Sequence, residues 1–184
     1  MNKTRALVAR ALIGLSIVLV QGSSWAAAAG GSESAAQSTR EPLQIVHRTE
    51  LKVVIQVNYA ETLPNGLSKQ VLAAKNLYDQ YEALGMKSGV DYDIAMVFRG
   101  EGAQFLLTDD AYDLKVKTAH PKGNPSAALI AVMSRGGVQM YECAVAMKLK
   151  GYEVDDLQPI ARIVSSGIGA LIDFQKSGFL AITP

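Results

Sequence analysis

The sequence predicts an α/β fold, a three-layer α/β/α sandwich around a mainly parallel five-stranded sheet. The first observation is that short runs rich in Val, Ile and aromatic residues alternate with longer stretches of helical period. The second is that each long stretch lies between two short runs, the order that crossovers between parallel strands require. The five predicted strands are residues 51–57, 92–98, 138–141, 161–164 and 179–183.

The first predicted helix spans residues 67–84, between the first two strands. It follows the turn sequence Pro64-Asn65-Gly66 and ends before Gly85. Its apolar residues recur at spacings of four and three, which places them on one face of the helix. These residues are Leu67, Val71, Ala74, Tyr78 and Tyr81.

Three further helices are predicted. Asn124 and Pro125 have the residue types of an N-cap and a first helical residue, and they predict a helix that stops at Gly136. The last two predicted helices, 144–150 and 168–176, likewise end just before a glycine. A glycine after a helix favours the left-handed C-cap conformation, so these ends support the predicted boundaries.

The first 28 residues have the three parts of a secretory signal peptide. Lys3, Arg5 and Arg10 precede an apolar run, 11–20, and a series of small residues follows it. The run is well short of the roughly twenty residues that a membrane-spanning helix needs. We therefore expect cleavage and delivery to the periplasm, without a stable membrane anchor.

Two segments follow the predicted signal peptide. Residues 29–50 begin with Gly, Ser and Ala and lack an apolar period, so they are a predicted flexible lead-in, and residues 51–184 are a predicted single domain. Three of the 18 Lys and Arg residues belong to the signal peptide, which leaves 15 against 17 Asp and Glu. This balance offers no basic surface for a phosphate backbone, so no nucleic acid is expected as a partner.

The sequence contains no motif that indicates a metal or a cofactor. His47 and His120 are the only histidines and have no metal-ligand spacing to the single cysteine. No Walker sequence and no nucleophile elbow is present. The acidic residues Asp109, Asp110 and Asp113 are interpreted as a solvated helix end rather than a pair of catalytic carboxylates. We therefore expect neither a metal site nor a cofactor.

The residues that directly follow the predicted strands are the candidates for a ligand site. In an open parallel sheet the ligand crevice lies beyond the carboxyl ends of the strands. Backbone N–H groups at a helix start can hold a small anion there, although a glycine at such a position can equally serve only the tight turn. The candidate ligand-binding residues are Asn58, Arg99, Gly100, Ser165, Ser166 and Gly167.

Cys143 is the only cysteine and the candidate nucleophile. It lies at a predicted strand-to-helix junction, where free N–H groups of the first helical turn favour a thiolate, and the cation of Arg99 acts in the same direction. Glu142 opposes the thiolate if its carboxylate points the same way, whereas strand alternation can turn it elsewhere. A lone cysteine is otherwise often a small apolar core residue, so an inert, buried Cys143 stays open as an alternative.

Residues 98–107, 137–152 and 165–171, followed by 175–179, resemble the DsrE/DsrF family, also called the YchN-like fold. The resemblance extends over the whole predicted domain. It implies a three-layer α/β/α domain that assembles into homotrimers or hexamers. For the sulfur-oxidation and tRNA-thiolation branches it also implies a cysteine that carries sulfane sulfur as a persulfide, and Cys143 matches that cysteine by position.

The expected function is that of a periplasmic carrier that binds or relays sulfane sulfur on Cys143, transferase-like rather than a turnover enzyme. Its expected partners are further copies of the chain and a sulfur donor or acceptor, either a protein or a small sulfur anion. The predicted export and Arg99, which stands where many relatives have His, depart from the family pattern. The alternative is a non-catalytic homo-oligomeric module that binds a small ligand or anion and keeps an inert cysteine.

A last expectation concerns the faces between subunits. Tyr78, Tyr81 and residues 105–107 add more aromatic and aliphatic surface than a monomer of this size needs to expose. We therefore expect these residues at the contacts of a closed ring, with the Cys143 pocket near a subunit boundary.

Overall fold

The structure is a computed structural model and describes residues 44–184. The predicted signal peptide and the predicted lead-in up to residue 43 lie outside the described residues. Residues 44–50 have no regular secondary structure, and the first strand begins at Leu51. None of the helices in this part of the chain combines the length and the apolar character that crossing a bilayer requires.

Five parallel strands form a single sheet, so the predicted α/β sandwich fold is confirmed. The spatial order is β4-β3-β2-β1-β5. The third strand runs two residues further than predicted and ends at Cys143. The strands are β1 (Leu51–Val57), β2 (Tyr92–Phe98), β3 (Gln139–Cys143), β4 (Ala161–Val164) and β5 (Leu180–Ile182).

The helices divide unequally between the two faces of the sheet. They are α1 (Lys69–Ala83), α2 (Asp109–Lys115), α3 (Ala127–Arg135), α4 (Ala144–Lys150) and α5 (Gly167–Lys176). Side chains of α1, α3 and α4 join the large core on one face, which we call the first face, whereas α5 packs on the second face. The strand order explains this division. The connections from β1 to β4 each move to the next strand in the same direction across the sheet, whereas the connection from β4 to β5 returns in the opposite direction. Because crossovers are right-handed, the two directions place their helices on opposite faces.

The large core contains the aromatic residues that the sequence suggested for subunit contacts. Tyr78 and Tyr81 are 8% and 6% exposed, and residues 105–107 are 0% exposed. The expectation that they form faces between subunits is therefore wrong. Tyr78 and Tyr81 are on the face of the first helix that packs into this core. Residues 105–107 are buried because the chain after β2 forms a 3₁₀ helix, Gly100–Leu106, that packs its apolar residues into the same core.

The start of α3 differs from the prediction. Its N-cap is Ser126, so the helix begins two residues later than the Asn-Pro pattern indicates. The side-chain amide of Asn124 instead donates to the carbonyl oxygens of Phe105 and Leu107, at 2.8 and 2.7 Å, and its Oδ1 accepts from the N–H of Ser126. Asn124 therefore ties the start of α3 to the 3₁₀ helix rather than capping α3.

The helix α2 is an addition to the four predicted helices. Its N-cap Thr108 accepts a hydrogen bond from the N–H of Ala111, and Asp109 and Asp110 lie in the first turn, where the helix dipole stabilises negative charge. The carboxylate of Asp113 accepts from the N–H of Gly123 at 2.7 Å. These acidic residues therefore hold a helix and the loop beside it.

Candidate functional site

Cys143 is both the last residue of β3 and the N-cap of α4. The residue is 5% exposed, and its Sγ accepts a hydrogen bond from the backbone N–H of Gly167 at 3.1 Å. Gly167 is the first residue of α5, so this donor is one of the N–H groups that have no partner within the helix. Such a donor at the positive end of a helix dipole favours a negatively charged sulfur.

Gly167 packs closely against two side chains of the site. A Cβ atom at this position would lie 3.0 Å from both Cβ and Cδ of Arg99 and 3.2 Å from Cβ of Cys143. These distances are shorter than ordinary van der Waals contacts, so a larger residue would push Arg99 and Cys143 away. The absence of a side chain at Gly167 therefore lets Arg99 and Cys143 both pack against the start of α5.

The guanidinium of Arg99 is held from the side by a neutral amide. Its Nε donates to Oε1 of Gln56 at 2.8 Å, and Nε2 of Gln56 donates to the hydroxyl of Thr183 at 3.0 Å. Arg99 forms no salt bridge with any carboxylate in residues 44–184. Its neighbour in sequence, Glu101, pairs with Lys150 instead, at 2.7 Å. The positive charge of Arg99 is thus not neutralised by the described chain.

Arg99 and Cys143 line one cavity of about 160 Å³ at the carboxyl end of the sheet. Its outer border is formed by three apolar side chains, Val145, Leu149 and Ile168, which are 50%, 82% and 57% exposed and which we call the apolar rim. The cavity therefore offers a thiol, a cation and an apolar border, and it has room for a small molecule. The lining residues are Arg99, Gly100, Cys143, Val145, Ala146, Leu149, Ser166, Gly167 and Ile168.

Of the six predicted ligand-binding residues, four line this cavity, namely Arg99, Gly100, Ser166 and Gly167. The hydroxyl of Ser166 is already engaged, because it accepts the N–H of Gly169 as the N-cap of α5. Its part in the site is therefore to fix the start of α5.

The other two predicted residues, Asn58 and Ser165, are not in the lining. Asn58 exchanges hydrogen bonds with the buried side chain of Gln70, donating its backbone N–H and accepting at Oδ1. Ser165 is exposed in the turn that joins β4 to α5. Asn58 thus braces the end of β1 rather than facing the thiol.

Glu142 opposes a thiolate only weakly at neutral pH, because burial favours the uncharged form of its carboxyl group. The residue is 0% exposed, and burial raises the pKa of Glu142 to about 9, although the hydrogen bond that its Oε1 accepts from the N–H of Cys143 acts the other way. Oε2 has no hydrogen-bond partner within the described chain. Strand alternation places the side chain with Met140 in the first-face core, so it is absent from the cavity lining.

A family model identifies the chain. The model of the DsrE/DsrF-like family matches residues 52–184, which is most of the sequence and includes every residue of the cavity. The chain belongs to the DsrE/DsrF-like family. The resemblance seen in the sequence is thereby confirmed. No curated protein gives a significant match.

Two solved structures are similar to this DsrE/DsrF-like protein. A protein of unknown function, MTH1491 from Methanobacterium thermoautotrophicum, is 20% identical with a TM-score of 0.55, over 73% of this chain and 100% of that one. The ychN protein from E. coli is 15% identical with a TM-score of 0.49, over 73% of this chain and 99% of that one. At 20% identity the likeness to MTH1491 shows the fold alone.

Sequence reasoning missed Gln56 and the apolar rim. Gln56 is the only polar residue among the last five of β1, Val53–Val57. A single amide side chain in such an apolar run indicates that the amide has a polar partner in the fold. The apolar rim gives no such signal, because its residues have the same types as core residues. Within residues 44–184 there is no group of three or more His, Cys, Asp or Glu side chains that could hold a metal ion.

Proposed function

We propose that this DsrE/DsrF-like protein carries sulfane sulfur on Cys143 as a persulfide. The observation that carries the proposal is the hydrogen bond from the N–H of Gly167 to Sγ of Cys143, at the wall of a cavity that also contains Arg99. Both groups favour a negatively charged sulfur, and the thiolate is the nucleophilic form of cysteine.

The transfer needs no oxidant other than the sulfur donor. The Cys143 thiolate attacks the outer sulfur of a donor R–S–SH, a new S–S bond forms at Sγ, and the S–S bond of the donor breaks. The leaving thiolate RS⁻ takes the electron pair, and the proton stays on the persulfide that Cys143 now bears. Attack by an acceptor thiolate on the outer sulfur returns Cys143 to its starting state, so the protein acts as a carrier.

Export to the periplasm is the second part of the proposal. The succession of three cations, an apolar run and small residues at positions 3–29 supports export with removal of the leader. The amino-terminal sequence of the exported protein tests it directly. A new terminus near residues 26–29 is the expected result, and a protein that still begins at Met1 contradicts export with cleavage.

Self-association is the third part of the proposal, as a closed trimer or hexamer. Val145 and Leu149 on α4, and Ile168 and Ile172 on α5, are each one helical turn apart and at least half exposed. Burial of these four aliphatic side chains against another copy would stabilise a ring and shield a persulfide at Cys143 from water. Light scattering that gives the mass of one chain would contradict it.

A second candidate function is a binding module with an inert cysteine. The observation in its favour is the small exposed fraction of Cys143, 5%, which is also typical of a structural cysteine. Under this alternative the cavity binds a small anion through Arg99 and Cys143 never reacts.

Mass spectrometry separates the two functions. The native protein is purified without reductant, treated with a sulfane donor and digested, and the peptide containing Cys143 is weighed before and after reduction. A mass increment of one sulfur atom that reductant removes is the expected result. Cys143→Ser is the control, since it leaves the fold intact and removes the only thiol. A peptide that never gains sulfur supports the inert module.

A further inference from the structure

Gln56 connects the cation of the cavity to the carboxyl-terminal strand. Its side chain lies on β1 between Arg99, which follows β2, and Thr183, which follows β5, so two hydrogen bonds cross three adjacent strands. Arginine carries only donors, so the amide oxygen of Gln56 must face Arg99 and the amide nitrogen must face Thr183. The partners on both sides therefore fix the orientation of the amide.

This arrangement leaves most of the guanidinium unused. Only Nε donates within the described chain, and the two terminal amino groups of Arg99 have no hydrogen-bond partner in residues 44–184. A planar pair of amino groups suits an oxyanion that can accept two hydrogen bonds at once. Because Gln56 is neutral, it orients the guanidinium without cancelling its charge.

The rest of the cavity limits which ligand could bind Arg99 through an oxyanion. No acidic residue lines it, and the apolar rim borders it. Its volume of about 160 Å³ has room for a small donor. A molecule with a compact oxyanion at one end and a polarisable sulfur at the other satisfies both the cation and the apolar border.

We propose that Gln56 is a positioning residue that holds Arg99 as the receptor for an oxyanionic sulfane donor of the thiosulfate class. This inference rests on the proposed carrier function of Cys143. The thiolate attacks the outer sulfur of thiosulfate, the new S–S bond forms at Sγ, and the S–S bond of thiosulfate breaks. Sulfite leaves with the electron pair, and Cys143 keeps an ionised persulfide, so atoms and charge balance. Arg99 offsets the repulsion between thiolate and dianion.

Two alkylating agents of nearly equal size test the role of Gln56 independently of sulfur chemistry. Iodoacetate is an anion and iodoacetamide is neutral, and both react with the single thiol. We expect the ratio of their rate constants at Cys143 to exceed that of free cysteine by about tenfold, the factor that one charge-assisted hydrogen bond gives. Gln56→Glu, which neutralises Arg99, and Gln56→Leu, which releases it, should each lower the ratio towards that of free cysteine.

The iodoacetamide rate serves as the internal control, since a variant that only disturbs the fold would change both rates together. Arg162→Gln is the matched control for charge, because Arg162 is an exposed cation on β4 outside the cavity lining. It should leave the ratio unchanged. A ratio equal to that of free cysteine in the wild type, or one that the Gln56 variants do not alter, overturns the inference.

Loading with thiosulfate then distinguishes the two proposals. We expect thiosulfate to place one sulfur on Cys143, with the concentration for half-maximal rate raised about tenfold in Gln56→Leu and the limiting rate changed less. Loading of Cys143 by polysulfide would support the carrier function. If the Gln56 variants then load with thiosulfate at the same rates as the wild type, the positioning role of Gln56 fails. If the alkylation ratio responds as expected and no donor loads Cys143, the carrier function fails.

Discussion

The two faces of the sheet differ in what their side chains do. On the first face, α1, α3 and α4 enclose a large core in which residues such as Ile55 and Phe98 are 0% exposed. On the second face, α5 packs over a core of only three fully buried residues, Val54, Ala95 and Val97. The larger core therefore stabilises the sheet mainly from the first face, whereas the second face is only thinly covered.

The residues of the site come from both faces. Gln56 follows Val54 by two positions on β1, so strand alternation places it on the second face, next to the start of α5. Arg99 and Cys143 meet Gly167 at the start of that same helix, although the side chain of Cys143 belongs to the first-face core. The site therefore lies where the thin layer of α5 begins, at an edge that the large core supports from the other side.

Two isoleucines give the sharpest contrast between the faces. Ile55 is 0% exposed in the first-face core, and Ile172 on α5 is 53% exposed. We expect Ile55→Ala to lower the free energy of unfolding by about 2–5 kcal/mol, and Ile172→Ala to change it by less than about 0.5 kcal/mol. Denaturant titration measures both, at a protein concentration at which light scattering shows single chains, because the proposed ring would bury Ile172. Similar losses for the two variants in single chains would mean that α5 is as deeply packed as α1.

Glu142 makes the stability of the first-face core depend on pH, because its carboxyl group is buried there with a raised pKa. Its folded pKa of about 9 lies above its unfolded value of 4.5, so between these values the folded state binds one proton more than the unfolded state. Stability therefore falls as pH rises through this window, by at most about 1.4 kcal/mol per pH unit for one proton. Stability is fully retained below the unfolded pKa.

Glu142→Gln is the variant that isolates this effect, since an amide can keep the hydrogen bond to the N–H of Cys143 and cannot ionise. Its unfolding free energy should fall less steeply than that of the wild type between pH 5 and 9. Urea titrations of the two proteins at several pH values make the comparison. Parallel curves would show that Glu142 ionises in the folded core at its ordinary pKa.

Two glycines of α5 test the packing at the border of the faces. Gly167→Ala inserts a methyl group 3.0 Å from Arg99 and 3.2 Å from Cys143, so we expect a loss of about 1–3 kcal/mol and slower alkylation of Cys143. Gly169→Ala meets only ordinary contacts with Ser166, the nearest at 3.6 Å, and should stabilise the helix by up to about 1 kcal/mol. Equal effects would remove the argument for a close fit at Gly167.

The sequence predicted the sheet well because each strand is a short apolar run between clear turn residues. It missed α2 because that helix has seven residues and two adjacent aspartates, a pattern that also suits a loop. It misplaced the start of α3 because the amide of Asn124 is used for contacts with Phe105 and Leu107, distant in sequence. Contacts of this kind depend on the folded arrangement and leave no local pattern.

The candidate site was predictable to the same extent. Cys143, Arg99 and Gly167 follow three strands, and parallel strands bring their carboxyl ends to one edge. The contact between Gln56 and Arg99 depends on strand register and side-chain orientation, which the sequence does not specify. The neutral state of Glu142 depends on its complete burial, which alternation along a five-residue strand only suggests.

The central claim is the proposal that Cys143 reacts as a nucleophile and is not an inert core residue. The rate of its reaction with iodoacetamide at pH 7 tests this claim most directly, measured on the folded protein and compared with free cysteine and with the protein in denaturant. The hydrogen bond from Gly167 and the cation of Arg99 predict a folded rate about threefold or more above that of free cysteine. A thiol that reacts only after denaturation would contradict the account.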